Sequence, residues 1–157
     1  MERLHVSRTK LAQVENRNCA QFTTDKPAGF WWGVGRAWLD WCESEDFHIG
    51  GHIHELDIDD ATILRISSVE ELDRFTSTYD APLLVAFPAI RGIRWHSVAQ
   101  HYDGIEIAPY LWERRLSEHA RWYYGWDCAS GVRWRPQSIV RAVRYIGEWT
   151  KPVGVES

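Results

Sequence analysis

Residues 26–42, KPAGFWWGVGRAWLDWC, hold four tryptophans, one phenylalanine and three glycines in seventeen positions. Flat π surface beside glycine suits a pocket whose floor lets a planar ligand lie against the backbone. A core strand followed by a helix would have the same composition. Two further stretches could complete a site. LHVSR (4–8) spaces His5 and Ser7 two apart, so a strand carries both on one face. YYGWDCASGVRW (123–134) sets Asp127 among aromatics and near Gly125 and Gly131. A carboxylate buried there needs a partner or takes a raised pKa; Asp127 capping a turn among core aromatics is the competing reading.

Two more clusters are weaker. FHIGGHIHELDID brings His48, His52 and His54 together with Glu55 and Asp57. On a strand His52 and His54 share a face as two metal ligands do, and zinc or iron would need His96 or His101 as a third. A solvated polar edge strand explains the same residues, so no metal site is expected. RWRPQSIVRAVR mixes arginine with tryptophan, as single-strand nucleic-acid binders do. The preferred reading is a C-terminal amphipathic helix with a solvated arginine face.

The elements that must position these residues follow from pattern. The chain has 157 residues with 45% hydrophobic and 25% charged content, so residues 1–157 are expected to form one domain with its own core. A net charge of −4 argues against a broad nucleic-acid footprint. Three cysteines with no CxxC pair indicate neither a disulfide framework nor a zinc knuckle. The charged start MERLHVSRTK lacks an export signal's apolar stretch, and no run approaches the ~18 apolar residues of a membrane span. A cytoplasmic protein with no membrane partner is expected. Strands are predicted over 2–7, FWWGV (30–34), HIHELDI (52–58), TILRIS (62–67) and IEIAPY (105–110), with a strand or tight hairpin over 126–134. Helices are predicted over 35–45, over 68–79 with Ser68 as N-cap and Glu71 three residues on, over 95–102 and over 111–122. Residues 8–18 read as a short helix or loop, 80–90 as an edge or loop broken by two prolines, and 136–149 as a turn or helix. This mixture lacks a regular βαβ rhythm and a phosphate-loop signature, and it favours an α+β fold.

The order of the motifs resembles the ADP-ribosyltransferase superfamily in its histidine-type branch, shared by diphtheria-like toxins and poly-ADP-ribose polymerases. HVS at 5–7 is similar to that branch's first strand, GFWWG at 29–33 to its second, with AWLDWC as the helix behind, and WDCASGVRWRPQSI at 126–139 to its late strand, including Pro136 and Ile139. The chain also resembles small bacterial and phage proteins carrying KPxGxW, WxxWC and WDxxSG. The resemblance implies a split β-sheet core around a cleft with flanking helices. It implies NAD as substrate, with ADP-ribosyl transfer to a protein or nucleic-acid acceptor, or NAD glycohydrolysis. His5 would hold the nicotinamide ribose with Ser7 assisting, and Gly29, Phe30 and Trp31 or Trp32 would floor and wall the nicotinamide site. Asp127 or Glu106 would be the acid. The family's acid is usually glutamate and its second aromatic commonly tyrosine, so a non-catalytic nucleotide- or partner-binding module using the same aromatic cleft stays open as the alternative.

Overall fold

Alternation along the strands distributes the side chains between two faces of a large sheet. The computed structural model describes residues 2–15, 17–47, 51–135 and 140–149. Its strands are β1 (Arg3–Ser7), β2 (Thr23–Thr24), β3 (Phe30–Val34), β4 (His52–Ile58), β5 (Ile63–Ile66), β6 (Asp80–Leu84), β7 (Phe87–Arg94), β8 (Gly104–Ile107), β9 (Ser130–Arg133) and β10 (Val140–Glu148). The helices are α1 (Ala37–Ser44), α2 (Val69–Tyr79) and α3 (Trp95–Val98), with 3-10 turns at Trp112–Arg114 and Arg121–Gly125. The fold is mixed α+β, with a strand-rich core and few helices. A seven-stranded sheet runs β10-β4-β1-β3-β9-β8-β5, and a smaller one runs β2-β7-β6. Every neighbouring pair is antiparallel except β5 with β8.

At the centre, β1 and β3 register through only Arg3↔Val34 and Leu4↔Gly33. Beyond Leu4, β1 continues along β4 to Ser7↔His52, while β3 follows β9 down to Phe30↔Arg133. The sheet therefore parts between the strands carrying His5 and Trp31.

One face packs the helices. Ile105, Ile107 and Val132 join Leu72 and Phe75 of α2 and a group of buried tryptophans, while Leu4 meets Leu39 and Cys42 of α1. The other face packs Trp32 against Leu56, Ile58 and Ile63. There Glu106, 1% exposed, is surrounded by donors. Arg3 donates from Nε at 2.7 Å and from Nη2 at 3.2 Å, and the Trp32 indole donates from Nε1 at 2.8 Å. Arg3 also reaches Asp60 at 3.0 Å. A methyl group at Gly131 would collide with the Trp32 ring, so that glycine makes the room the indole occupies.

Local signals explain most elements. The Ser68 hydroxyl accepts the Glu71 amide at 3.2 Å at the start of α2, while the Glu71 carboxylate reaches back to the Ser67 amide at 2.8 Å. Residues 8–15 and 17–18 are loop. Residues 80–94 form the β6–β7 hairpin, and Pro82 is tolerated because β6 is the edge of its sheet. The helix predicted over 111–122 is replaced by 3-10 turns. Residues 113–119 supply no apolar stripe for a helix to bury, and Leu116 in their midst is 82% exposed. The turn or helix predicted over 136–149 is the strand β10 in its described part. Val140 and Val143 pack inward against Trp32's cluster, while Arg144 and Arg141 pair across to Glu55 at 2.7 Å and to Asp59 at 3.1 Å. The arginine-faced helix is thus corrected to an edge strand of paired charges.

Replacing Arg3 by methionine removes two hydrogen bonds from buried Glu106 and leaves it the more distant Arg65 guanidinium at 3.6 Å. A loss of about 3–5 kcal/mol in urea unfolding is expected. Asp60→Asn, at a half-exposed partner, is expected to cost far less.

Candidate functional site

Where the sheet parts, a cavity of about 350 Å3 opens on the helix-packed face. It is bordered by Leu4, His5 and Val6 of β1, by Trp31 and Gly33 of β3, by Trp38 of α1, and by Trp126, Asp127 and Cys128 before β9. Trp31 meets Trp126 edge-on at 4.9 Å between ring centroids, and the Lys26 ammonium lies 5.4 Å from the Trp31 ring centre. A Cβ on Gly33 would sit 2.9 Å from that of Trp38, so the glycine is what lets α1 approach this closely. The Trp126 indole nitrogen is buried with no hydrogen-bond partner among the described residues. Asp127 is half-buried at the cavity wall. Cys42 and Cys128 carry no thiolate at neutral pH. Burial first, and the Asp127 charge second, push their thiols up to about 11 and about 12.

His5 closes the end of the short β1–β3 ladder. Its Nδ1 lies 2.6 Å from the Trp31 carbonyl, and a carbonyl only accepts, so Nδ1 carries the proton. The neutral ring then offers Nε2 as an acceptor. The imidazole stacks on Phe30 at 4.1 Å. Burial holds its pKa below the usual 6.5, and the positive Arg133 pushes in the same direction. His54 is likewise held neutral by burial. Its Nε2 accepts the Leu11 amide at 2.8 Å, which leaves the proton on a buried Nδ1 with no partner among the described residues.

Of the residues singled out in the sequence, His5, Trp31 and Asp127 come together at this cavity. Trp32 borders it through the strand, but its indole is 2% exposed and turned to the opposite face. Trp31 and Trp32 thus divide between cavity and core as strand alternation requires. Gly29 and Phe30 line a second cavity of about 270 Å3. Ser7 borders neither, and its hydroxyl donates to the Thr9 carbonyl at 2.5 Å. Glu106 belongs to the buried node with Arg3, not to the cleft. Gly29 has a different reason from the one expected. A Cβ there would press on the Arg133 backbone, 2.8 Å from its carbonyl carbon, so the glycine serves a close approach of two strands. Trp38, Trp126 and Lys26 escaped the sequence reading as site residues. The aromatic spacing of WxxWC marked Trp38 only as one side of a helix.

Among the described residues no three His, Cys, Asp or Glu side chains are placed to hold a metal ion. His52 reaches the Tyr145 hydroxyl at 3.3 Å, and His54 is engaged by Leu11. His48, Pro136 and Ile139 lie outside the described residues. No helix of the described residues is long and apolar enough to cross a membrane. Comparison with protein-family models, curated proteins and solved structures finds no match.

Truncating Trp32 to alanine opens the core and strips a donor from Glu106, so about 3–5 kcal/mol of stability should be lost in urea unfolding. Trp31→Ala should lose well under half of that.

The two depressed histidines also set a pH dependence. The unfolded chain takes up their protons near pH 6.5 while the folded chain does not. Stability is therefore complete above that value and falls as pH drops below it. Melting temperature should decline between about pH 7 and 5.5, and a His5→Phe/His54→Phe variant should flatten the decline.

Proposed function

We propose that the cleft binds the nicotinamide end of NAD, and that the protein transfers ADP-ribose from it to a protein or nucleic-acid acceptor or hydrolyses it. The observation that carries this reading is the meeting of Trp31 and Asp127 at the cavity where β1 and β3 part, with His5 of β1 at its border and hydrogen-bonded to the Trp31 carbonyl. Nicotinamide in NAD is a flat cation. A tryptophan face attracts such a ring, and Trp31 already has one cation, Lys26, over it. A cavity of about 350 Å3 falls in the range of small-ligand sites and has room for nicotinamide and its ribose. The parting of the central strands also agrees with the split core of the ADP-ribosyltransferase superfamily that the motif order resembles.

The chemistry follows from charge. When the bond between ribose C1′ and the nicotinamide nitrogen breaks, its electron pair returns to the ring, which leaves neutral. The sugar becomes oxocarbenium-like, as in glycoside hydrolysis. The Asp127 carboxylate would stabilise that positive charge, and His5 Nε2 would accept a ribose hydroxyl and fix the sugar. An acceptor nucleophile or water then adds to C1′ and releases its proton.

A binding module without turnover is the second reading. It is favoured by Ser7 being engaged with Thr9 and Glu106 with Arg3, which leaves Asp127 as the one acid among the described cleft residues.

Calorimetry with NAD, paired with an assay of nicotinamide release in the presence of protein, DNA and RNA acceptors, separates these readings. Asp127→Asn should retain binding while release falls about 100-fold or more. Trp31→Ala should weaken binding, since a desolvated cation–π contact contributes about 2 kcal/mol. Binding with no release supports the module, and absence of both overturns the assignment of NAD.

A further inference from the structure

The second cavity, of about 270 Å3, lies on the opposite face of the sheet from the tryptophan cleft, under the loop that follows β1. Arg133 borders it and is 1% exposed, yet none of its three guanidinium nitrogens has a hydrogen-bond partner among the described residues. Burial lowers its pKa to about 10, which still leaves it charged at neutral pH. A buried cation with no anion is costly, and folded proteins as a rule pair such groups. Glu106, on the neighbouring strand β8 and on the same face, is met by three donors. Among the described residues Arg133 has the Phe30 ring, 5.0 Å from its guanidinium carbon, and no hydrogen-bond acceptor.

We propose that this cavity binds a small carboxylate with an apolar body, whose two oxygens meet the Arg133 guanidinium. A guanidinium presents paired N–H groups at the spacing of a carboxylate's two oxygens. The group is held in place beside the cavity. It projects from β9, inside the seven-stranded sheet, with its ring contact on one side and its backbone clamped against Gly29. The remaining lining selects the ligand. Leu11, Val14 and Phe30 offer apolar wall for an organic body. Glu15 and Arg17 also border the space, so with Arg133 the charged groups sum to one positive charge, which suits a monoanion over a phosphate dianion. The site is independent of the NAD reading, since neither Asp127 nor Trp31 borders it.

The test uses the full chain, with benzoate, butyrate and inorganic phosphate each titrated against chloride at matched ionic strength. Benzoate or butyrate should raise the melting temperature saturably, and the Arg133 Nε–H resonance should shift along the same binding curve. Arg133→Met should weaken that response at least tenfold, and should melt no lower than the unsubstituted protein because it removes an unpaired buried charge. Asp127→Asn should leave the carboxylate response intact even if it abolishes nicotinamide release. The proposal fails if neither carboxylate acts beyond chloride, if the Arg133 resonance does not move, or if Arg133→Met responds as before. A phosphate response equal to or stronger than both carboxylates would overturn the choice of ligand.

Discussion

Glu106 is a carboxylate with almost no access to water, and three strands are organised around answering its charge. Arg3 from β1 and Trp32 from β3 both donate to it, across 103 and 74 residues of sequence. An ionised group buried this deeply is tolerated only when its lone pairs are taken, so the node ties β1, β3 and β8 into one arrangement. Its effect reaches the far side of the sheet. With Trp32 committed to Glu106, Trp31 must face the helices, and with Arg3 registered opposite Val34, the next outward side chain, His5, arrives at the Trp31 carbonyl. The cleft is thus the reverse side of a structural ion pair.

The abundance of tryptophan has a related cause. Several of the buried indoles combine a large apolar body with a satisfied N–H: Trp95 to the Thr24 carbonyl at 3.0 Å, Trp122 to Thr76 at 3.0 Å, and Trp134 to the Tyr102 carbonyl at 2.8 Å. Each bond joins segments far apart in the chain and fills volume at the same point, which a phenylalanine could not do. Trp126 departs from this pattern. Its N–H is buried and unclaimed among the described residues, at the wall of the cleft.

The same face of the sheet therefore holds two opposite solutions to a buried charge. Glu106 is fully answered and acts as structure, whereas among the described residues Arg133 is answered by an aromatic face. Neutral His5 stands near it, and burial first, with the Arg133 charge adding to it, holds its pKa down. Of the two cavities, one has a carboxylate at its wall and the other a guanidinium.

The sequence by itself determined the elements whose signals are local. Alternation marked β1 and β4, aromatic and β-branched content after a turn marked β3, the Ser68–Glu71 spacing marked α2, and strand parity required Trp31 and Trp32 to part. It also picked out His5, Trp31 and Asp127, whose types suit a polar site among aromatics. Tertiary structure alone decided which partner each polar group met. Glu106 and Asp127 are both acids with apolar sequence neighbours, and only the sheet order β1-β3-β9-β8 makes one an ion-pair centre and leaves the other at a cavity. Gly29 read as a ligand floor until the pairing of β3 with β9 set it against the Arg133 backbone. Arg133 itself was one arginine in a basic run, since nothing local distinguishes it from Arg141 or Arg144. The difference is non-local: β10 lies beside the acids of β4, while β9 lies in the sheet interior, where no described acid is hydrogen-bonded to the Arg133 guanidinium.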